Sequence, residues 1–307
     1  MATKKKLSVY IFGAGKVGVA LAQAIRRAGL HVTLRAARAG IPGQSGDRGP
    51  VRRIDADLLI LTVRDRDLTS TAARFAEAGI VSPATGCVHV AGAQRADVLE
   101  PLRAVSAGIA QMHPMISFAS LHRFPALAGG HVHLQGDPGA VAPARCLIKA
   151  LGMTARTFPD LDPVGYHAAA GLVANGAAAL AAVGVRVLAT AGVPPEVAPH
   201  MLGPLLHSVA DNVMQLGFPD ALTGPVRRGE SQSVSRHLEV LRARLPEAVP
   251  LFVAAGLAQL PLARALGEAP AAAFDAIETV LRDAPNMAPT PSTASVFTPR
   301  TAETPRE

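Results

Sequence analysis

Four groups of residues in this 307-residue chain have types and spacings that can do chemistry. Gly13-Ala14-Gly15-Lys16-Val17-Gly18 gives G-x-G-x-x-G straight after an apolar run. The first glycine permits a tight turn, the second lets the backbone approach a pyrophosphate, and the third lets a helix pack close. The N-terminus of that helix offers unpaired N–H groups to phosphates. His167, Gly171 and Asn175 stand at i, i+4 and i+8, within about 80° of one helix face. Thr223-Gly224-Pro225 with Arg227, Arg228 and Glu230 is a turn followed by guanidiniums, which grip a carboxylate at two points. Arg228 is the choice for a substrate carboxylate and Thr223 for a hydroxyl donor; Ser233 and His237 share a face of the helix that follows. His113-Pro114 and His89-x-x-Gly92 each close an expected strand, where ligands bind in open parallel sheets. Each group also has a structural reading: packing for His89 and His113, a helix start for His167, a satisfied backbone group for Asn175, and solvated arginines on a turn at 223–230.

Strand and helix patterns must position these residues. Leu7–Phe12, His31–Leu34, Leu58–Val63, Gly86–Val90, Ile109–Met112 and His131–Gln135 read as strands. Lys16–Ala28, Leu68–Ala78, Ala96–Val105 and Pro138–Leu151 read as the helices between them. After Thr157–Pro163 only helices are expected: Val164–Ala191, Glu196–Leu216, Gln232–Arg244, Pro246–Leu266 and Ala271–Asp283. The fold class is therefore α/β. A Rossmann-type doubly wound parallel sheet over 1–156 precedes an all-α domain over 160–283 for substrate and dimerisation, with a disordered tail over 284–307.

The cofactor follows from the second strand. A NAD-binding unit places an acidic residue there for the ribose 2′-hydroxyl. Here that place holds Arg35, with Arg38 just beyond, and no Asp or Glu lies between Gly13 and Asp47. Arginine pairs a 2′-phosphate, so NADP(H) is expected, held by the glycine turn, Arg35, Arg38, Val63 and His89. The alternative is that these arginines belong to a solvated loop.

Composition narrows the class. The chain carries 30 Lys and Arg against 23 Asp and Glu, dispersed and without aromatic platforms. A small anionic substrate fits this better than nucleic acid. Two cysteines at separate places fit a reducing cytoplasm and give no zinc spacing, so no metal is expected. Lys4-Lys5-Lys6 before an apolar stretch imitates a secretory signal, but the glycine spacing is better explained by the turn. Ala168–Val185 is alanine-rich and carries Asn175, so a buried or interface helix is expected rather than a membrane span.

These motifs together resemble a bacterial family of Rossmann-like oxidoreductases whose C-terminal helical half is a domain of unknown function. The family lies beside ketopantoate reductase, pyrroline-5-carboxylate reductase and the beta-hydroxyacid dehydrogenases. The resemblance runs from Gly13 to about Leu241. It rests on the glycine turn, His89-x-x-Gly92, His113-Pro-x-x-Ser-Phe118, Tyr166-His-Ala-Ala-Ala170 with Asn175, and Leu222–Glu230 with His237-Leu238. It implies a nicotinamide-dependent reductase and a helical domain that dimerises. Two of the neighbouring families carry Lys-x-x-x-Asn facing the nicotinamide; aligned on Asn175, that lysine becomes Gly171. His167 is then the nearest general acid, Asn175 orients substrate or water, and His113 contacts nicotinamide or substrate. The expected reaction is reduction of a 2-keto acid such as ketopantoate. Imine reduction of the pyrroline-5-carboxylate type, and a non-catalytic NADP sensor, are the alternatives.

Overall fold

The computed structural model describes residues 6–42 and 53–284. The chain divides into two compact units, Met1–Ala174 and Asn175–Glu307. The first therefore includes the opening turns of a long helix that the sequence reading gave wholly to the second.

In the first unit, β1 (Ser8–Phe12), α1 (Lys16–Arg27), β2 (His31–Arg35), β3 (Leu58–Leu61), α2 (Leu68–Glu77) and β4 (Gly86–His89) follow in turn. Then come α3 (Glu100–Arg103), β5 (Gly108–Pro114), β6 (His131–Gly136), α4 (Pro138–Ala150) and β7 (Thr154–Arg156). The strand order is β2-β1-β3-β4-β5-β6-β7. Direction of travel reverses between β1 and β3, which is where a doubly wound sheet opens its binding crevice. Every residue of β3 and β4 is buried, as parallel strands covered on both faces require. Leu21 and Ile25 of α1 and Leu147 and Ile148 of α4 cover one face. Phe75 of α2 and Leu102 of α3 lie in the cluster on the other, where Phe12 meets Phe75 edge-on at 5.0 Å.

Three details differ from the sequence reading. The sheet is not wholly parallel: β6 runs antiparallel to β5, because the 115–130 connection contains no crossover helix. β7, paired with β6, was missed because Thr-Ala-Arg carries no apolar run. The expected helix over Ala96–Val105 is a 3-10 turn, Ala96–Leu99, leading into α3, with Pro101 in the first turn where its missing N–H costs nothing.

The helical part comprises α5 (Pro163–Thr190), α6 (Ala198–Leu216), α7 (Ser231–Arg244), α8 (Val249–Leu266) and α9 (Ala271–Arg282). α6 begins two residues later than expected, which places Pro199 in its first turn and leaves Pro195 outside. Val234 and Leu238 of α7, Leu260 of α8, and Phe274, Ile277 and Leu281 of α9 form the second core. Arg186 of α5 pairs with Glu247 before α8. α5 and the stretch Pro246–Leu266 are long and apolar enough to cross a membrane by length and composition. The most apolar window of α5 is only 6% buried, so of the two expected readings, a buried or an interface helix, burial within this chain is not met. Ala284 is buried; the rest of the expected tail lies outside the described residues.

Candidate functional site

Each glycine of the turn after β1 has a separate steric duty. Gly13 adopts φ +122°, and a β-carbon there would stand 2.6 Å from Thr62 Oγ1. A β-carbon on Gly18 would overlap the Gly13 carbonyl oxygen. Gly15 faces open space, with nothing among the described residues within 4 Å of an added β-carbon. Thr62, just past β3, donates to the Gly13 carbonyl at 2.7 Å and locks the turn. The sequence reading missed Thr62; its place beside Val63 at the end of a strand was the available signal. Ala14, Gly15 and Lys16 are exposed, and α1 starts at Lys16, so its first N–H groups border the open space. This is a cradle shaped for a phosphate-bearing group.

Arg35 turns back on its own loop. Its Nε donates to the Gly40 carbonyl at 2.8 Å and its Nη2 to Ala39 at 2.9 Å. Two of the five N–H donors of its guanidinium thus brace the loop, a structural duty that the sequence reading did not give it. Arg38 is exposed in the 3-10 turn that this brace shapes. Val63 is half-buried beyond β3.

His89 is also reassigned. It is fully buried, its Nδ1 accepts the Ala91 N–H at 3.2 Å, and its Nε2 donates to the Arg95 carbonyl at 3.0 Å. Burial holds its pKa down at about 4, so it is a neutral pin for the loop after β4. Gln111 of β5 completes that loop, donating to the carbonyls of Ala91 and Gly92 at 2.9 and 3.2 Å.

Above Gly92 the aromatic and imidazole rings gather. His113 ends β5 beside His133 of β6, to which it is paired in register. The His113 ring lies edge-on to Tyr166 at 5.4 Å and to His167 at 5.7 Å, and its Nδ1 is 3.4 Å from the Tyr166 hydroxyl. His133 is buried, stacks on Phe158 at 6.0 Å and tilts against Tyr166 at 5.7 Å; its Nδ1 has no hydrogen-bond partner among the described residues. Burial, reinforced by the imidazoles of His167, His133 and His89, lowers the His113 pKa to about 4. Burial raises that of Tyr166.

The start of α5 is fixed by Asp162, whose carboxylate accepts the N–H groups of Val164 and Gly165 at 3.0 Å each. The segment before it is tied down by Arg95 to the Leu161 carbonyl, Gln135 to that of Pro159, and Thr157 to that of Leu134. Asp before Pro at a helix start was a legible cap signal that the sequence reading passed over. Because β1, β3, β4 and β5 are parallel, the glycine turn, Thr62, Gly92 and His113 share the carboxyl edge of the sheet.

Family models match both parts of the chain: a Rossmann-like domain over residues 2–114 and a domain of unknown function, DUF2520, over 131–258. The chain joins a Rossmann-like domain to a DUF2520 domain. A solved protein of Thermotoga maritima has the same fold at 19% identity and TM-score 0.59, covering 84% of this chain and 98% of that one. A Bacteroides fragilis protein assigned as an NADP oxidoreductase matches at 20% identity and TM-score 0.59, covering 86% and 99%. Plasmodium falciparum pyrroline carboxylate reductase, solved with NADP bound, matches at 12% identity and TM-score 0.52, covering 92% and 98%. No curated protein matches the sequence significantly.

Within the DUF2520 region the expected substrate residues have the following surroundings. Thr223 is exposed on its turn. Arg228 is paired at two points with Glu230, at 2.6 and 3.1 Å, so its charge is already answered by its neighbour. Arg227 clips the loop by binding Glu268 and the carbonyls of Asp220 and Leu222. His237 sits edge-on to Phe252 and faces an apolar groove of about 470 Å³ between α5, α6, α7 and α8. Asn175 is exposed on α5, two turns past His167.

Proposed function

We propose that the protein is an NADP(H)-dependent reductase acting on a C=O or C=N bond of a small carboxylate-bearing substrate. The observation that carries this reading is the glycine cradle, closed at Gly13 and Gly18 and open at Gly15, on the same sheet edge as the ring cluster over Gly92. Bound there, NADPH supplies a hydride to the substrate carbon. The residues that would hold it are the backbone of Gly13–Gly18, through α1, and Arg38 toward the 2′-phosphate. The chain's own chemistry is to orient the substrate and to deliver a proton to the oxygen or nitrogen as its charge develops.

A 2-keto acid is the first substrate class and a cyclic imino acid the second. One feature favours the imine. The cluster over Gly92 contains no lysine, and His113 is neutral at physiological pH. An imine nitrogen, being more basic than a ketone oxygen, needs a weaker acid. Arg228, if it exchanges Glu230 for a substrate carboxylate, and Thr223 serve recognition. The reading also pairs the helical unit with a second copy, since Met201, Leu205, Val209 and Val213 of α6 stand four residues apart and all exposed.

The test is NADPH binding by fluorescence, followed by NADPH oxidation against a panel of 2-keto acids and cyclic imino acids. Binding with turnover is expected. Tight binding without turnover on any member would instead identify a non-catalytic NADP sensor. No binding would overturn the reading altogether.

A further inference from the structure

The sequence pointed to His167 as the acid, but the geometry singles out its neighbour. His167 is exposed, while Tyr166 is half-buried against the rings of His113 and His133 and hydrogen-bonded to the first of them. We propose that the Tyr166 hydroxyl is the group that gives the proton to the substrate heteroatom, and that His113 is the relay that restores it. This rests on the reductase reading.

Three observations support the assignment. The phenol is positioned from both sides, by His113 at its edge and His133 against its ring, on a helix start that Asp162 fixes. The His113 ring connects inward and outward: Nδ1 reaches Tyr166, and Nε2 lies over Gly92, where His167 Nδ1 also lies. Those two nitrogens are near enough for one water to bridge. His167, the exposed member, then opens the line to solvent.

The proton balance closes. In the productive tautomer His113 Nδ1–H donates to the Tyr166 oxygen, which frees the phenol O–H to face substrate. As hydride adds to the carbon, the C=O or C=N π pair moves to the heteroatom and takes the Tyr166 proton. The phenolate then takes the Nδ1 proton of His113, while Nε2 receives one from solvent through His167. The imidazole passes from one neutral tautomer to the other, one solvent proton is consumed per hydride, and exchange of the ring protons with water restores the Nδ1–H tautomer before the next turnover.

The experiment compares wild type, Tyr166→Phe and His167→Gln in the full-length protein. NADPH affinity is read by fluorescence, kcat and KM with whichever panel substrate wild type reduces, and the histidine ring nitrogens by NMR. Tyr166→Phe should keep NADPH affinity and KM within about 2-fold, lower kcat by about 100-fold or more, and shift the His113 Nδ1 resonance. His167→Gln should lower kcat less, because solvent water can replace an outer relay. Unchanged kcat in Tyr166→Phe, or an unmoved His113 resonance, overturns the assignment while leaving the reductase reading intact. Failure of wild type to bind or oxidise NADPH removes that reading first, and this inference with it.

Discussion

A β-carbon on Gly92 would overlap Nδ1 of His167. The same carbon would stand 2.8 Å from His113 Nε2, so the absence of a side chain at 92 lets both imidazoles reach the loop after β4. The Gly92 backbone needs no left-handed conformation, so alanine is admissible there and the clash falls on side chains. Gly92→Ala should therefore fold, with a melting temperature close to wild type, and should push His167 and His113 off their seats. We expect kcat to fall by about 10- to 100-fold with NADPH affinity unchanged, as small misplacements near reacting groups do. Steady-state kinetics with a fluorescence titration checks this; unchanged kcat would show that the cluster does not touch the reaction.

The two ends of the glycine turn give opposite predictions. Gly18→Ala meets the Gly13 carbonyl and Thr62, which are backbone and an anchored hydroxyl. It should lose about 1–3 kcal/mol of stability, as overpacking does, and bind NADPH poorly because the turn is distorted. Gly15→Ala meets nothing within 4 Å among the described residues, so its melting temperature should match wild type. Its methyl group fills the space the phosphates need, and NADPH affinity should drop at least about 10-fold. A Gly15→Ala protein that bound NADPH normally would place the cofactor elsewhere.

The middle of the sheet was legible because a strand covered on both faces is an unbroken apolar run, and Leu58–Leu61 could be little else. The glycine turn was legible because its spacing is dictated by sterics that recur wherever a helix follows a strand closely. The antiparallel β6 was not: direction depends on whether a crossover helix intervenes, and 115–130 has no pattern strong enough to say. Side-chain roles were the weakest part. His89, Arg35 and Arg228 were read as ligand contacts because their types suit ligands. The structure gives each a partner in its own neighbourhood, at Arg95, Gly40 and Glu230. Tyr166 and Thr62 carry no such typing, and their importance follows from what stands beside them.

Cofactor choice separates Arg35, at the end of β2, from Arg38 in the turn that follows. Arg35 shapes the 37–40 turn through the Ala39 and Gly40 carbonyls, whereas Arg38 presents an exposed guanidinium from it. Arg38→Ala should weaken NADPH at least about 10-fold while leaving NADH nearly unchanged, as loss of a phosphate contact requires. Arg35→Ala should weaken both cofactors together, since it loosens the loop they share. Parallel NADPH and NADH titrations distinguish the two, and an NADPH/NADH ratio unaffected by Arg38→Ala would end the 2′-phosphate assignment.

The exposed stripe on α6 predicts the assembly. Met201, Leu205, Val209 and Val213 repeat every four residues, and Leu202 on the other side packs toward Gly184 of α5. An apolar stripe of this length on a lone helix marks a protein contact. Light scattering should give a dimer. Leu205→Glu should give a folded monomer, because the added charge is accommodated in water but not within an apolar contact. A wild-type monomer at every concentration would refute the pairing.

Acid should destabilise the first unit through its buried imidazoles. His89 has a pKa of about 4 in the folded protein against 6.5 ordinarily, and burial is the main cause. Above about pH 6.5 the ring is neutral in both states and stability is at its full value. As pH falls toward 4, the unfolded chain takes a proton that the folded chain refuses, so stability drops by about 1.4 kcal/mol per pH unit from this group. His113, lowered to about 4 for the same reason, adds a second slope of the same sign over the same window. Below about pH 4 both contributions level off, because folded and unfolded forms are then equally protonated. His89→Gln should remove one proton's share of the slope. It should also lower stability at neutral pH, because the Ala91 and Arg95 contacts of the loop are lost or remade poorly. Denaturant melts across this range measure both effects, and a slope identical to wild type would mean that His89 is not buried neutral.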